Sequence, residues 1–433
     1  MVQTQVPGLL KEMFSKEDIA YETLVNNPLL AVMPKDENLG GSDYRNFLVY
    51  GGSSSGSATF TTSQTNGGPP PTASFIVPPS QDYVTLQISN KLIRSAKGGG
   101  EKSFIDELAL NMKAALDEMG YSLCNTIQGD GTGSRGKVAA SSALSTGSVT
   151  LTDPQQIVGF QQNMWCQFAY VSGSTWQLAA AGAQYQITGL DEDNSILNFG
   201  TSNNLASPTS GQAVAANMIV IRSGDLVAGT AYNNGLGVTG AQVFAGLGGW
   251  NPLSAPQPNT GDSFGTVDRS GSTTRLAGVR FDGRGLSPLM AARGLAARME
   301  RQKGAGDFDY IVANMLNYEN LASTISGQAR YEWVESFDDP TIRFEMLTLP
   351  IGGRHIKAVK DRTIPSSVLR VLSLKYLCLR SMGPLSGILD YEMYGEGVLV
   401  ISNVDGIEIR WGVYPALYNQ APAWQGLALL NQP

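Results

Sequence analysis

The chain has 433 residues, with 30 Lys or Arg against 37 Asp or Glu and a formal net charge of −7. Charged residues make up only 15%, against roughly 25% in ordinary soluble domains, while Gly contributes 50 positions. These values exclude a strongly basic nucleic-acid clamp, and no stretch approaches the ~18 uninterrupted apolar residues of a membrane-spanning helix. A long chain with so little charge predicts a surface largely covered by other subunits.

The opening 35 residues are broken by Pro7, Gly8, Pro28 and Pro34 and carry no periodic stripe, so they read as an arm. MVQTQVPGLLKEMF lacks the pattern of a signal peptide, which predicts intracellular synthesis. From Tyr44 to Ser95, β-prone runs (NFLVY, SATFTT, SFIV, YVTLQIS) alternate with GGSSSG and a Gly and Pro tract, predicting a long two-stranded excursion. An isolated hairpin is marginal in water, so this one should lie on something else.

Phe104, Leu108, Met112, Ala115, Met119, Leu123 and Ile127 recur every three to four residues, predicting a helix over 103–128 with Ser103 and Asp106 as capping box and Gly129 as stop. Residues 144 to 229 carry short β-like runs with turn signals between them, which predicts an inserted small β-barrel or sandwich. After GLGGWNPLSAPQPNTGD comes a second helix, with Ser287 as N-cap, Pro288 at its first position and a stop at Gly304. A buried-type strand FDYIVAN, a short helix near Tyr318, and TIRFEMLTL with GRHIKAV as a hairpin across Gly352 and Gly353 follow. VLVIS and IEIRWGVY supply a last hairpin. The class is α+β without internal repeats.

Chemistry-bearing motifs are sparse. The one histidine, His355, would have to serve any His-dependent catalysis, and its place in GGRHIKAV reads as strand-edge packing. Gly131 to Val138 (GTGSRGKV) resembles a phosphate loop but has Val138 where Ser or Thr should hold a metal ion. Gly52, Ser54 and Gly56 fit a nucleophile elbow, yet no helix follows, so a serine hydrolase using Ser54 and His355 stands only as a minor alternative. Asp191, Asp193 and Ser195 start like a calcium loop that Ile196 breaks. Asp338 with Asp339 and Glu392 with Glu396 read as solvated turns, and the six tryptophans as core or contact anchors. Cys124, Cys166 and Cys378 are odd in number and in no metal spacing, so they read as buried thiols of a reducing compartment. No catalytic, cofactor or metal residues are expected. The aromatics Tyr50, Phe60, Phe75 and Tyr83 are the candidates for contact with a neighbouring subunit. The basic step Lys91, Arg94 and Lys97 joins them, as a solvated face or as an ionic contact with a neighbour or with packaged DNA.

The order of arm, β excursion, long helix, GDGTG and α+β body resembles the major capsid protein of tailed double-stranded DNA bacteriophages. NNPLLAVMP, SFIDELALNMKAALDEMGYSLCNTIQGDGTG, GLGGWNP and the hairpin before VLRVLSLKYLCL carry the likeness. It implies a phage capsid fold with an N-terminal arm (1–43), extended loop (44–95), spine helix and start of the peripheral domain (96–143), inserted β-barrel (144–229), peripheral domain (230–307) and axial domain (308–433). It implies hexamers and pentamers closing an icosahedral shell around double-stranded DNA. The implied partners are further copies of the chain, a separate scaffolding protein, a portal protein and an outer decoration protein, without a membrane. It places the chain in the virion, assembled in the host cytoplasm, with no sign of a removed propeptide. An encapsulin-like cellular compartment is the alternative of similar fold.

Overall fold

The computed structural model describes residues 28–38, 40–41, 43–89, 101–172, 175–208, 210–226, 242–256, 263–302, 308–324, 330–335, 343–383, 385, 399–400 and 406–431. Its longest element is the helix Glu101–Gln128. Leu116, Met119, Leu123 and Ile127 are buried at the three-to-four residue spacing of one helical face. Ser103 falls inside the first turn instead of capping it, because the helix begins two residues earlier. Gly129 ends it, its N–H bonding back to the Asn125 and Thr126 carbonyls.

The GLGGWNP segment crosses this helix end, and glycine is what permits the approach. A Cβ on Gly246 would collide with the Thr126 and Ile127 carbonyl oxygens, and the Gly248 N–H bonds to the Gly129 carbonyl at 3.0 Å. The crossing delivers Trp250, fully buried, between Phe75 and Phe264 at ring separations of 5.2 and 5.0 Å. Its indole N–H donates to the Leu417 carbonyl at 3.0 Å.

A seven-stranded mixed sheet forms the second half of the body, in the order Val279–Asp282, Gly426–Leu429, Val368–Leu372, Tyr310–Ala313, Arg354–Lys360, Arg343–Ile351, Arg330–Glu335. Val368–Leu372 is buried at every position, as a strand covered on both faces must be. The helix Pro288–Glu300 covers one face with Ala291, Ala292, Leu295, Ala296 and Met299, and its N-cap Ser287 accepts from the Met290 N–H. Gly352 and Gly353, at φ of 61° and 74°, make the expected tight turn of the hairpin over 343–360.

Several expectations are corrected. Residues 28–36 are not a free arm: Leu29, Leu30, Ala31, Val32 and Met33 are buried in the chain's own core, and Lys35–Asp36 pairs in parallel with Leu377–Ser381. Residues 1–27 lie outside the described set. The excursion is shorter than 44–95. Tyr44–Val49 pairs with Thr72–Val77, but Asp82–Ser89 leaves to pair with Gly406–Val413, whose buried Ile409 and Trp411 give it a body to pack on.

The region expected as a β-barrel begins at Ser134 rather than 144, and no closed barrel forms among the described residues. It is two open sheets. One runs Ser134–Lys137, Ile219–Arg222, Trp165–Ser172, Thr175–Leu178, with Tyr185–Gln186 beside it, and the other Gly189–Asp191, Ile196–Asn198, Ser148–Thr150. A single bridge between Val138 and Leu151 replaces the continuous ladder that closure requires. Phe168, Ile187, Leu197 and Phe199 fill the space between. Among the described residues no helix is long and apolar enough to cross a membrane.

Candidate subunit-contact surface

Strand alternation decides which side of the excursion hairpin is available. On Thr72–Val77 the residues Ala73, Phe75 and Val77 point inward and are buried. On Tyr44–Val49 the buried residue is Asn46, whose amide donates to the Asn419 carbonyl at 2.7 Å while Tyr418 donates its hydroxyl to Asn46 Oδ1 at 3.2 Å. Tyr44 meets Tyr418 edge-on at 4.5 Å, and the Arg380 guanidinium lies over both rings at 4.1 and 4.8 Å. The Ile76 N–H donates to the Gly265 carbonyl at 2.9 Å, and Arg275 holds the Tyr50 carbonyl. The hairpin base is therefore anchored on this chain.

The opposite face is not. The register sets Arg45 against Ile76, Phe47 against Ser74 and Val49 against Thr72 on the outer side. Phe47 is 77% exposed and Val49 60%. At the tip a one-and-a-half-turn helix, Phe60–Thr65, buries nothing, and Phe60 is 81% exposed. Other exposed apolar side chains gather elsewhere: Leu286 and Met290 at the start of the helix Pro288–Glu300, Met315 and Leu316 at the start of Met315–Thr324.

The candidates divide accordingly. Phe60 and Tyr83 are exposed and Tyr50 is half-buried. Phase of the strand removes Phe75, which sits in the core against Trp250 and Phe264 and has no surface left for a neighbour. Tyr83 shares its hydroxyl with Gln81 and Tyr414, and burial together with Tyr414 pushes its phenol up to about 12. Lys91, Arg94 and Lys97 lie outside the described residues. Phe47 and Val49 are not among the candidates although NFLVY alternates; the sequence marks two faces there without saying which one the body covers.

A part-buried ionic node ties the strands Asp82–Ser89, Ser134–Lys137 and Ile219–Arg222 to the helix Glu101–Gln128. Arg222 donates to Asp82 Oδ1 at 2.8 Å, to Asp225 Oδ1 at 3.0 Å and to Ser122 Oγ at 2.9 Å. Arg135 reaches the same Ser122 Oγ at 3.2 Å and the Gly159 carbonyl at 3.2 Å. Burial pulls the Arg222 guanidinium down, but Asp225 and Asp82 outweigh it and hold the group above its ordinary range. Glu118 nearby is pushed up, since its desolvation exceeds the pull of Arg135 and Arg222. An open cleft of about 660 Å³ beside the node is lined by Tyr83, Glu118, Trp165 and Arg222 among others.

Among the described residues, the phosphate-loop, elbow and calcium-loop matches fall in ordinary strands and turns. Ser134–Lys137, the heart of the phosphate-loop match, is a strand with Arg135 and Gly136 buried. Ser54 lies in the exposed loop after Tyr44–Val49, while His355 is exposed on Arg354–Lys360 opposite Pro350, and no hydrogen bond joins them. Asp191 accepts from the Asn194 backbone and side chain, closing a hairpin turn. Asp338, Asp339, Glu392 and Glu396 lie outside the described residues. Among the described residues no group of three or more His, Cys, Asp or Glu is arranged to hold a metal ion. Cys124 and Cys166 are buried and Cys378 half-buried, all as free thiols.

No family model and no curated protein matches the chain. Solved structures do. The capsid asymmetric unit of Cyanophage A-1(L) is 8% identical and covers 94% of this chain and 93% of its own, with a TM-score of 0.45. The satellite phage P4 procapsid, which includes the size determination (Sid) protein, is 10% identical over 96% and 91%, at 0.38. The capsid of the native GTA particle is 8% identical over 92% and 88%, at 0.42. The solved structures to which this chain is similar thus include two capsids and a procapsid, at scores and identities that leave function to the chain's own surfaces.

Proposed function

We propose that this chain is the major capsid protein of a tailed double-stranded DNA phage, a structural subunit without enzymatic turnover. It assembles as hexamers and pentamers into an icosahedral shell around the genome and is found in the virion after assembly in the host cytoplasm. The observation that carries this reading is the half-finished hairpin: its inner face is fastened to the body, while Phe47, Val49 and Phe60 stand in water. Exposed aromatic side chains grouped on one projecting element mark a protein contact. Closed symmetry supplies the partner, because each copy in a ring offers the same projection and the same receiving surface.

In this reading Glu101–Gln128 is the spine helix, residues 44–77 the extended loop, Pro288–Glu300 the peripheral helix, and the sheet from Tyr310 onward, with the hairpin of Gly406–Val413, the axial part. The two-sheet unit from Ser134 to Arg222 is an outward insertion. A separate scaffolding protein, a portal and an outer decoration protein complete the set of partners. Negative-stain electron microscopy of the expressed chain tests it: rings or closed shells are expected, and a monomer that stays single at high concentration overturns it. Genes for a portal and terminase beside this one distinguish a phage shell from an encapsulin-like compartment. Ser54→Ala should leave any trace of esterase activity unchanged.

A further inference from the structure

We propose that the solvent face around the carboxyl end of the helix Pro288–Glu300 is a sequence-independent contact for the phosphate backbone of duplex DNA. This rests on the shell reading, since it names which surface meets the packaged genome. The helix buries Leu289, Ala292, Leu295, Ala296 and Met299, so its opposite face holds Arg293, Ala297, Arg298, Glu300 and Arg301 in water. Arg301 keeps helical backbone angles as C-cap, so the stripe continues one residue past the end. The turn at Gly352 lies against it: a Cβ there would stand 2.6 Å from Glu300 Oε1. Two residues past that turn is exposed Arg354, its guanidinium held over the Phe308 ring at 5.7 Å.

Three exposed guanidinium groups on this helix end thus share it with one exposed carboxylate, Glu300, on a chain whose net charge is −7. Among the described residues, Arg293, Arg298 and Arg301 are paired with no carboxylate, whereas exposed Arg284 nearby is bound to Asp282 at 2.7 Å. The helix dipole accounts for arginines in the last turn. It does not account for Arg293 in the middle of the helix or for Arg354 across the turn. Arg293 to Arg301 spans ~12 Å of helix, the reach of three to four successive phosphates at ~3.4 Å of axis each. Guanidinium forks match phosphate oxygens in pairs, and a face that reads only phosphates needs no base contacts.

The test is fluorescence anisotropy of a mixed-sequence 30-base-pair duplex with the full-length unassembled chain across a salt series. The triple variant Arg293→Gln, Arg298→Gln, Arg301→Gln should bind at least ~10-fold more weakly at low salt, with a slope of log affinity on log salt shallower by about 2 to 3. Arg293→Gln alone should lose about a third of that slope change, and Arg284→Gln should change nothing; matching thermal melts show that the variants fold. Duplex binding that is unchanged in the triple variant overturns the proposal. So does a wild type that ignores duplex but binds poly-glutamate through these arginines, which would make the face a site for an acidic protein. Particle formation is scored separately by sedimentation. Shells that assemble while the arginines prove inert remove this inference alone, and absence of shells with duplex binding intact removes the shell reading.

Discussion

The hairpin over residues 44–77 and the hairpin over 343–360 both pair antiparallel strands, yet they end in different environments. The second has Tyr310–Ala313 on one flank and Arg330–Glu335 on the other, and Leu347, Leu349, Ile356 and Ala358 are fully buried. Among the described residues the first has no third strand in its sheet, and only one of its faces is covered. Where a body surrounds a hairpin, its residues report on the stability of the single chain. Where one face stays bare, its residues report on what the chain joins.

Substitutions can separate these two kinds of residue. Phe75→Ala should cost the unassembled chain ~3–5 kcal/mol in denaturant unfolding, because it leaves a cavity beside the Trp250 and Phe264 rings. Phe47→Ala, on the paired strand and on the outer face, should stay within ~0.5 kcal/mol in the same experiment while reducing particle yield. Equal losses at both positions would erase the distinction. Arg222→Ala, which strands Asp82 and Asp225 without their cation, should cost about 2 to 3 kcal/mol, reduced from a fully buried pair by its partial exposure. Gly352→Ala, at φ of 61° and against Glu300, should cost about 1 to 2 kcal/mol.

Smaller effects sharpen the picture of the node. Glu118 has its folded pKa raised by burial, so its contribution favours the folded chain below its unfolded value and is lost as pH rises through the folded one. Glu118→Gln should therefore melt higher than the parent at neutral pH, with the gap closing as pH falls toward 4; a gap that widens on acidification contradicts the assignment. Thiol labelling of the native chain should modify Cys378 first and leave Cys166 untouched, since burial pushes the latter up to about 12.

Much of this was legible in the residues. The helical stripe ending at Ile127, the Ser287 cap and the Gly352–Gly353 turn are local signals, and local physics sets them. The fate of PLLAVM was not: Pro28 and Pro34 read as breaks, yet the five residues between Pro28 and Pro34 fill a core assembled from distant segments. Asp82–Ser89 looked like the return of the excursion because it follows it, but its partner lies more than 300 residues on. Which face of Tyr44–Val49 is bare depends on Asn419 and Tyr418, so alternation gave the period and not the phase. The freedom of Arg293, Arg298 and Arg301 from carboxylates is a property of the folded surface, which no local pattern of the sequence announces.

Sedimentation velocity of the full-length chain beside its Phe47→Asp, Phe60→Asp variant tests the central claim most directly. The bare hairpin face predicts capsomer-sized or shell-sized species for the parent and a folded single chain for the variant at the same concentration. A variant that assembles as readily as the parent would contradict it.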